Sequence, residues 1–178
     1  MRLAICPGSF DPVTNGHVDI IKRSSTMFDE IIVAVFQNPN KKPFFSMEER
    51  VEMLKMATRD IPNVRVEAFS GLLNEYVRLK NTHIIVRGLR AFSDFEAEVQ
   101  RALLINSIDP EIETVFIMTS GKYSFVSSTG IKELAGFGGK ITGLVPAGVE
   151  ERIIKRCSDL LAVEKKKPND LTAKVGEK

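Results

Sequence analysis

The amino-acid sequence predicts a single doubly wound α/β domain, a parallel sheet covered by helices on both faces. Three observations lead there. Five short apolar runs, Leu3–Cys6, Ile31–Phe36, Val64–Ala68, His83–Val86 and Thr114–Met118, have the length and composition of strands. Segments of helical periodicity lie between and after them, and this alternation is what strand–helix–strand units produce. The chain of 178 residues suffices for one well-buried domain and is short for two, and no internal repeat or interior linker divides it. In such sheets ligands gather beyond the carboxyl ends of the strands, near the point where strand order reverses. The loops that follow the strands are therefore where chemistry is expected.

The first strand is a run of apolar residues ended by Pro7 and Gly8. Val18, Ile20 and Ile21 then recur at helical spacing, so a helix is expected from about Asn15 with a Thr or Asn cap. Its first turn holds Gly16 and His17. Unpaired N–H groups and the partial positive charge at a helix start suit an anion beside Gly8, Ser9 and Phe10. The same field disfavours protonation of His17, and a neutral imidazole can donate to a phosphate oxygen and strengthen that bond as charge builds. The competing reading of His17 is a capping residue on a surface helix.

Later loops are read in the same way. Gln37 to Pro43 follows the second strand and is turn-rich, with Lys41 and Lys42 adjacent; solvated loop lysines are its ordinary explanation. A helix is expected over Ser46–Thr58. After the third strand, Phe69 to Leu73 opens a helix expected over Gly71–Lys80, and its apolar side chains suit a core. Ile84-Ile85-Val86 runs into Arg87-Gly88-Leu89-Arg90, two guanidinium forks around a glycine that lets backbone approach a ligand. Ion pairs with Asp94, Glu96 or Glu98 are the alternative partners for these arginines. Ser93–Ser107 is expected to be helical, and it carries Glu98. Beyond the fifth strand, Tyr123-Ser124-Phe125-Val126-Ser127-Ser128-Thr129 leads into a helix expected over Thr129–Phe137. Capping accounts for one of its three consecutive hydroxyls, and the run suits a second anion cradle. A last helix is expected over Ala147–Val163. Gly121-Lys122-Tyr123 lacks the residues of a P-loop, and Gly136, Gly138 and Gly139 do not open a helix as a dinucleotide fingerprint must.

Composition narrows the function classes. The longest uninterrupted apolar run is Ile31–Phe36, so no membrane span is expected, and the N-terminus lacks a secretory apolar region; a cytoplasmic protein is the expectation. The net charge of +2 resides in the segment from Glu164 to Lys178, which carries five lysines and three acids. The remainder is balanced, so a nucleic-acid partner is not indicated. Residues 1–163 are read as the domain and 164–178 as a polar, Lys-rich, mobile tail. Cys6 and Cys157 have no second Cys or His at metal-site spacing, and buried free thiols are expected rather than a zinc site or a disulfide.

Gly8-Ser9-Phe10-Asp11-Pro12 followed by Thr14-x-Gly16-His17 resembles the first signature of the nucleotidyltransferases, which move a nucleotidyl group from a nucleoside triphosphate to a phosphate or carboxylate. Members of that superfamily often have His where this chain has Thr14. Ser127-Ser128-Thr129-x-Ile131-Lys132 resembles their second signature, with Lys132 in the basic slot. The Thr14 form, together with Arg87-Gly88-Leu89-Arg90 and the Ala91-x-x-Asp94-Phe95-Glu96 that follows, resembles the phosphopantetheine adenylyltransferases, and the likeness runs from about Arg2 to Leu161.

The resemblance implies a Rossmann-like fold and transfer of the adenylyl group of ATP to 4′-phosphopantetheine, giving dephospho-coenzyme A and pyrophosphate. It implies that His17 stabilises the transition state. Ser9, Lys41, Leu73 and Arg87 would face the acceptor. Ser9, Phe10, His17, Gly88, Leu89, Arg90, Glu98 and the stretch Tyr123, Ser124, Phe125, Val126, Ser127, Ser128, Thr129 would face ATP. The family often has Tyr just before the Glu98 position, where this chain has Ala97. Magnesium on the triphosphate, a homohexamer and feedback inhibition by coenzyme A also follow from the resemblance alone. A sibling cytidylyltransferase acting on a phosphorylated polyol is the nearest alternative, against which Arg87-Gly88-Leu89-Arg90 speaks. A non-catalytic nucleotide sensor is the other, against which His17, Lys41 and the two arginines speak.

Overall fold

The computed structural model describes residues 1–36 and 42–165, and its centre is a five-stranded, wholly parallel sheet. Strand β1 (Leu3–Gly8) is central, flanked on one side by β2 (Glu30–Phe36) and β3 (Val64–Phe69) and on the other by β4 (Ile84–Leu89) and β5 (Glu113–Met118). The helices are α1 (Asn15–Ser25), α2 (Met47–Thr58), α3 (Leu73–Leu79), α4 (Phe92–Ile108), α5 (Ser128–Gly136) and α6 (Ala147–Lys165). Strand order is β3-β2-β1-β4-β5, so it reverses between β1 and β4.

Successive strand residues point to opposite faces, and each face meets its own helices. Ala4, Cys6, Val33, Val35 and Val86 enter one core with Ile20 and Ile21 of α1, Met53 and Leu54 of α2, Ile131 of α5 and Ile153 of α6. Ile5, Ile32, Ala34 and Ile85 enter the other with Tyr76 and Val77 of α3, against which Ile105 of α4 packs. The expected doubly wound α/β fold, a Rossmann-like sheet with helices on both faces, is the fold observed.

Several boundaries differ from the expected ones, each for a local reason. β1 does not stop at Cys6 but continues through Pro7 and Gly8, which pair with Ala34 and Val35 of β2. The Pro7 carbonyl faces β4, where it accepts a hydrogen bond from Arg87 Nη1 at 3.1 Å. An N–H on Pro7 would point the same way, so its absence costs the β2 ladder nothing. β4 likewise runs on to Leu89, so Arg87 and Gly88 are strand residues rather than the start of a loop. A Cβ on Gly88 would lie 2.9 Å from Ile20 Cγ1, so α1 sits on β4 at the one residue without a side chain. Helix α3 is shorter than expected because Gly71 has φ 127° and Leu72 is extended. Ser46 is the N-cap of α2, with Glu49 completing a capping box. Helix α6 reaches Lys165, two residues into the segment read as tail; the rest of that segment, 166–178, lies outside the described residues.

Candidate functional site

A cleft of about 690 Å³ opens over the carboxyl ends of β1 and β4, at the switch point. Strands β1 and β4 pair only at Ile5 and Ile85, so their ends are free to build it. Its walls are the β1–α1 loop, the end of β4, one face of α4 and the start of α5.

The β1–α1 loop packs unusually closely. Phe10 is buried with φ 46°, a left-handed backbone that non-glycine residues adopt at a cost of order 1–3 kcal/mol. Its ring lies where a Cβ on Gly8 would be, 2.8 Å from that position, so a glycine is required there. The other side of the ring meets the His17 imidazole edge-on, with centroids 5.1 Å apart.

His17 proves to be a capping residue and a cleft residue at once. Thr14 is the N-cap of α1; its N–H donates to His17 Nδ1 at 3.0 Å, and the His17 N–H reaches Thr14 Oγ1 at 3.4 Å. A nitrogen that accepts a backbone N–H carries no proton, so the neutral ring bears its proton on Nε2. Burial behind Phe10 pushes the imidazole pKa down to about 4, and the positive charge of Arg90 adds to this. The helix field invoked from sequence is thus secondary to burial. The His17 ring resonances are expected to titrate near pH 4 instead of the usual value of about 6.5, as followed by NMR with His17→Gln for assignment. The unfolded chain takes up this proton first, so this residue's contribution to stability falls as the pH drops from about 6.5 through about 4.

Arg87 and Arg90 both line the cleft, and both pair with carboxylates of its wall. Arg87 Nε lies 3.4 Å from Glu98 Oε2, and Glu98 is also paired with Arg101. Glu98 Oε2 is buried and accepts no hydrogen bond from the described residues. It is therefore not the exposed helical acid that its position alone suggests. Arg90 forks onto Asp94 at 2.9 and 3.2 Å and donates from Nη1 to the Val126 carbonyl at 3.3 Å, joining β4 to the approach to α5. The ion pairs weighed as an alternative from sequence are thus present, and they hold the guanidinium groups at the cleft wall.

The three hydroxyls before α5 have separate tasks. Ser127 Oγ caps the helix by accepting the Gly130 N–H at 3.0 Å, and Ser128 Oγ donates to the Pro12 carbonyl at 2.8 Å, tying the two signature loops together. Thr129 is exposed on the cleft lining. Ser9, Gly88, Val126 and Leu73 also line the cleft, whereas Leu89 is buried beneath it and Tyr123, Ser124 and Phe125 stand outside its lining. Lys41 lies outside the described residues. Lys132 turns away from the cleft, 3.5 Å from Asp11 Oδ2.

Cys6 reaches the cleft floor, but burial pushes its thiol up to about 11, and Cys157 is raised for the same reason; both are buried free thiols. Among the described residues no three His, Cys, Asp or Glu side chains gather as metal ligands, and no helix is long and apolar enough to cross a membrane. Sequence reasoning passed over Asp11, Arg50 and Arg101. Arg50 left a signal, a charged residue three and four positions before the buried Met53 and Leu54 on the apolar stripe of α2. Asp11, which sequence analysis met only as a member of the first signature, has a carboxylate that accepts the N–H groups of Phe44 and Phe45 at 2.9 Å each.

A family model described as Cytidylyltransferase-like matches residues 5–134. Proteins named phosphopantetheine adenylyltransferase are similar along most of the chain. That of Caldanaerobacter subterraneus subsp. tengcongensis is 54% identical over 156 residues, 88% of this chain and 98% of its own. Those of Dictyoglomus thermophilum and Clostridium kluyveri are 56% and 55% identical over the same share of this chain and 95% of theirs.

Proposed function

The chain belongs to the cytidylyltransferase-like family and, within it, to the phosphopantetheine adenylyltransferases, and on that premise we propose that the cleft over β1 and β4 transfers the adenylyl group of ATP to 4′-phosphopantetheine. The products are dephospho-coenzyme A and pyrophosphate. The observation that carries the reading is His17, a neutral imidazole whose Nδ1 is occupied by the Thr14 N–H and whose Nε2 keeps its proton at the cleft wall.

An oxygen of the acceptor phosphate attacks the α-phosphorus of ATP. A P–O bond forms, the bond from the α-phosphorus to the α–β bridging oxygen breaks, and pyrophosphate leaves with that oxygen. A phosphate monoester has a second pKa of about 6 and is largely dianionic at neutral pH, so the nucleophile needs no general base. What remains is positioning and charge stabilisation. His17 Nε2–H donates to a non-bridging oxygen of the α-phosphate, where charge builds as the bond forms. Ser9, Lys41 and Arg87 hold the acceptor phosphate, and Leu73 offers apolar surface to the pantetheine arm. Arg90 and the Ser127–Thr129 turn hold the departing pyrophosphate, while Phe10, Gly88, Glu98 and Val126 border the nucleotide. Substrate phosphates then replace Glu98 and Asp94 as partners of the two arginines.

Magnesium fits this site through the triphosphate, since it favours phosphate oxygens and water over a protein cage, and the acids of the cleft wall already face guanidinium groups. Bound there, it would neutralise charge on the leaving group. Coenzyme A contains both the adenylate and the pantetheine arm of the product, which supports competition with both substrates as the form of feedback inhibition. A cytoplasmic site of action accords with the same biosynthetic role. Incubation with ATP and 4′-phosphopantetheine should yield pyrophosphate and dephospho-coenzyme A in equal amounts by mass spectrometry; ATP left intact would refute the reading.

The homohexamer implied by the resemblance has a physical motive. Leu103, Leu104 and Ile108 of α4 are 64%, 62% and 59% exposed, and Met118 on the edge strand β5 is 57% exposed. Apolar exposure of this kind along a helix and a sheet edge favours association. Light scattering is expected to give a mass near six chains, and Leu103→Glu with Leu104→Glu to lower it.

A further inference from the structure

Arg50 lies on α2, which contributes nothing to the cleft lining, and is only 3% exposed. No carboxylate among the described residues pairs with it. Its donors go instead to three carbonyls: Nη1 to Ser9 at 2.9 Å and Phe36 at 3.3 Å, and Nε to Ser46 at 3.2 Å. It therefore joins the phosphate loop to the end of β2 and the cap of α2. Burying a charged guanidinium with no carboxylate partner is costly, so its retention here calls for a reason beyond filling space.

The Ser9 contact explains what the charge does. In a trans peptide the C=O and the following N–H point in opposite directions. With the Ser9 carbonyl drawn inward to Arg50, the Phe10 N–H is turned outward, and it donates to no acceptor among the described residues. The same peptide leads into Phe10, whose φ of 46° needs external support and whose ring packs on His17. Asp11 holds the loop from its other end through Phe44 and Phe45. We propose that Arg50 is the positioning residue of the Ser9–Phe10 turn, aiming the Phe10 N–H at the substrate phosphates and fixing the wall against which His17 is set.

This inference rests on the adenylyl-transfer reading, and its test separates the two. Arg50→Met and Arg50→Lys are compared with wild type in three measurements: thermal melting, calorimetric titration with ATP and with pyrophosphate, and turnover. The binding stoichiometry gives the fraction of competent sites, so turnover is expressed per competent site. Arg50→Met is expected to melt within a few degrees of wild type yet to lose about 100-fold in kcat per competent site, the cost of a misplacement of about 1 Å. Arg50→Lys, which keeps a cation but not the fork, should recover about tenfold of that loss. Should the Met variant fail to fold, the Lys variant decides, with an expected loss of about tenfold. Turnover per competent site within about threefold of wild type in the folded variants overturns the proposal and leaves Arg50 as a structural tie. A wild-type protein that releases no pyrophosphate refutes the reaction instead; positioning is then read from pyrophosphate affinity, expected to weaken about tenfold in Arg50→Met and unchanged if the proposal is wrong.

Discussion

Replacing His17 by alanine is expected to lower kcat by about two to three orders of magnitude, the usual effect of deleting one transition-state donor, while ATP affinity changes little. The split follows from where the charge lies. On the proposed reading, Arg90 and the α5 turn hold ATP in its ground state, whereas the Nε2 proton gains most as the α-phosphate becomes crowded and more negative. His17 also completes the cap of α1 with Thr14, so the variant is expected to lose some thermal stability. Turnover is therefore measured per folded site. His17→Gln, which retains hydrogen-bonding groups without the imidazole geometry, should fall between the two. Near-wild-type kcat in His17→Ala would reduce His17 to its capping role.

Arg87→Ala is expected to weaken binding of the acceptor by about 1.5–3 kcal/mol, the range for hydrogen bonds to charged groups, or roughly 10- to 150-fold. Lys41→Ala should have a similar effect. Arg87 has structural partners as well, the Pro7 carbonyl and Glu98. Its removal leaves the Glu98 carboxylate with Arg101 alone. Combining Arg87→Ala with Glu98→Gln removes the stranded charge and should restore melting temperature without restoring acceptor affinity. Calorimetry showing unchanged acceptor affinity in Arg87→Ala would leave this arginine as a strut between β1 and α4.

The parts of this molecule that were legible in sequence are those encoded locally. Ile31–Phe36 could only be a buried strand, Thr14 announced the start of α1, and Arg87-Gly88-Leu89-Arg90 marked the carboxyl end of a strand, where ligands gather, although its first three residues proved to belong to that strand. The rest depends on contacts between distant segments. Pro7 reads as a strand terminator until β4 is seen to supply a guanidinium for its carbonyl. Asp11 is only one member of the signature loop until Phe44 and Phe45 arrive to use its carboxylate. Arg50 breaks the apolar stripe of α2 for a reason that lies 41 positions earlier, at Ser9. The neutral state of His17 was anticipated from the helix start, but the larger cause, burial, needed the fold.

The most direct test of the account is a panel of nucleoside triphosphates and phosphorylated acceptors assayed for pyrophosphate release. ATP with 4′-phosphopantetheine should be preferred over every other pairing, with release dependent on both substrates and lowered by about two to three orders of magnitude in His17→Ala. Equal or faster release with CTP and a phosphorylated polyol, or none with any acceptor, would contradict it.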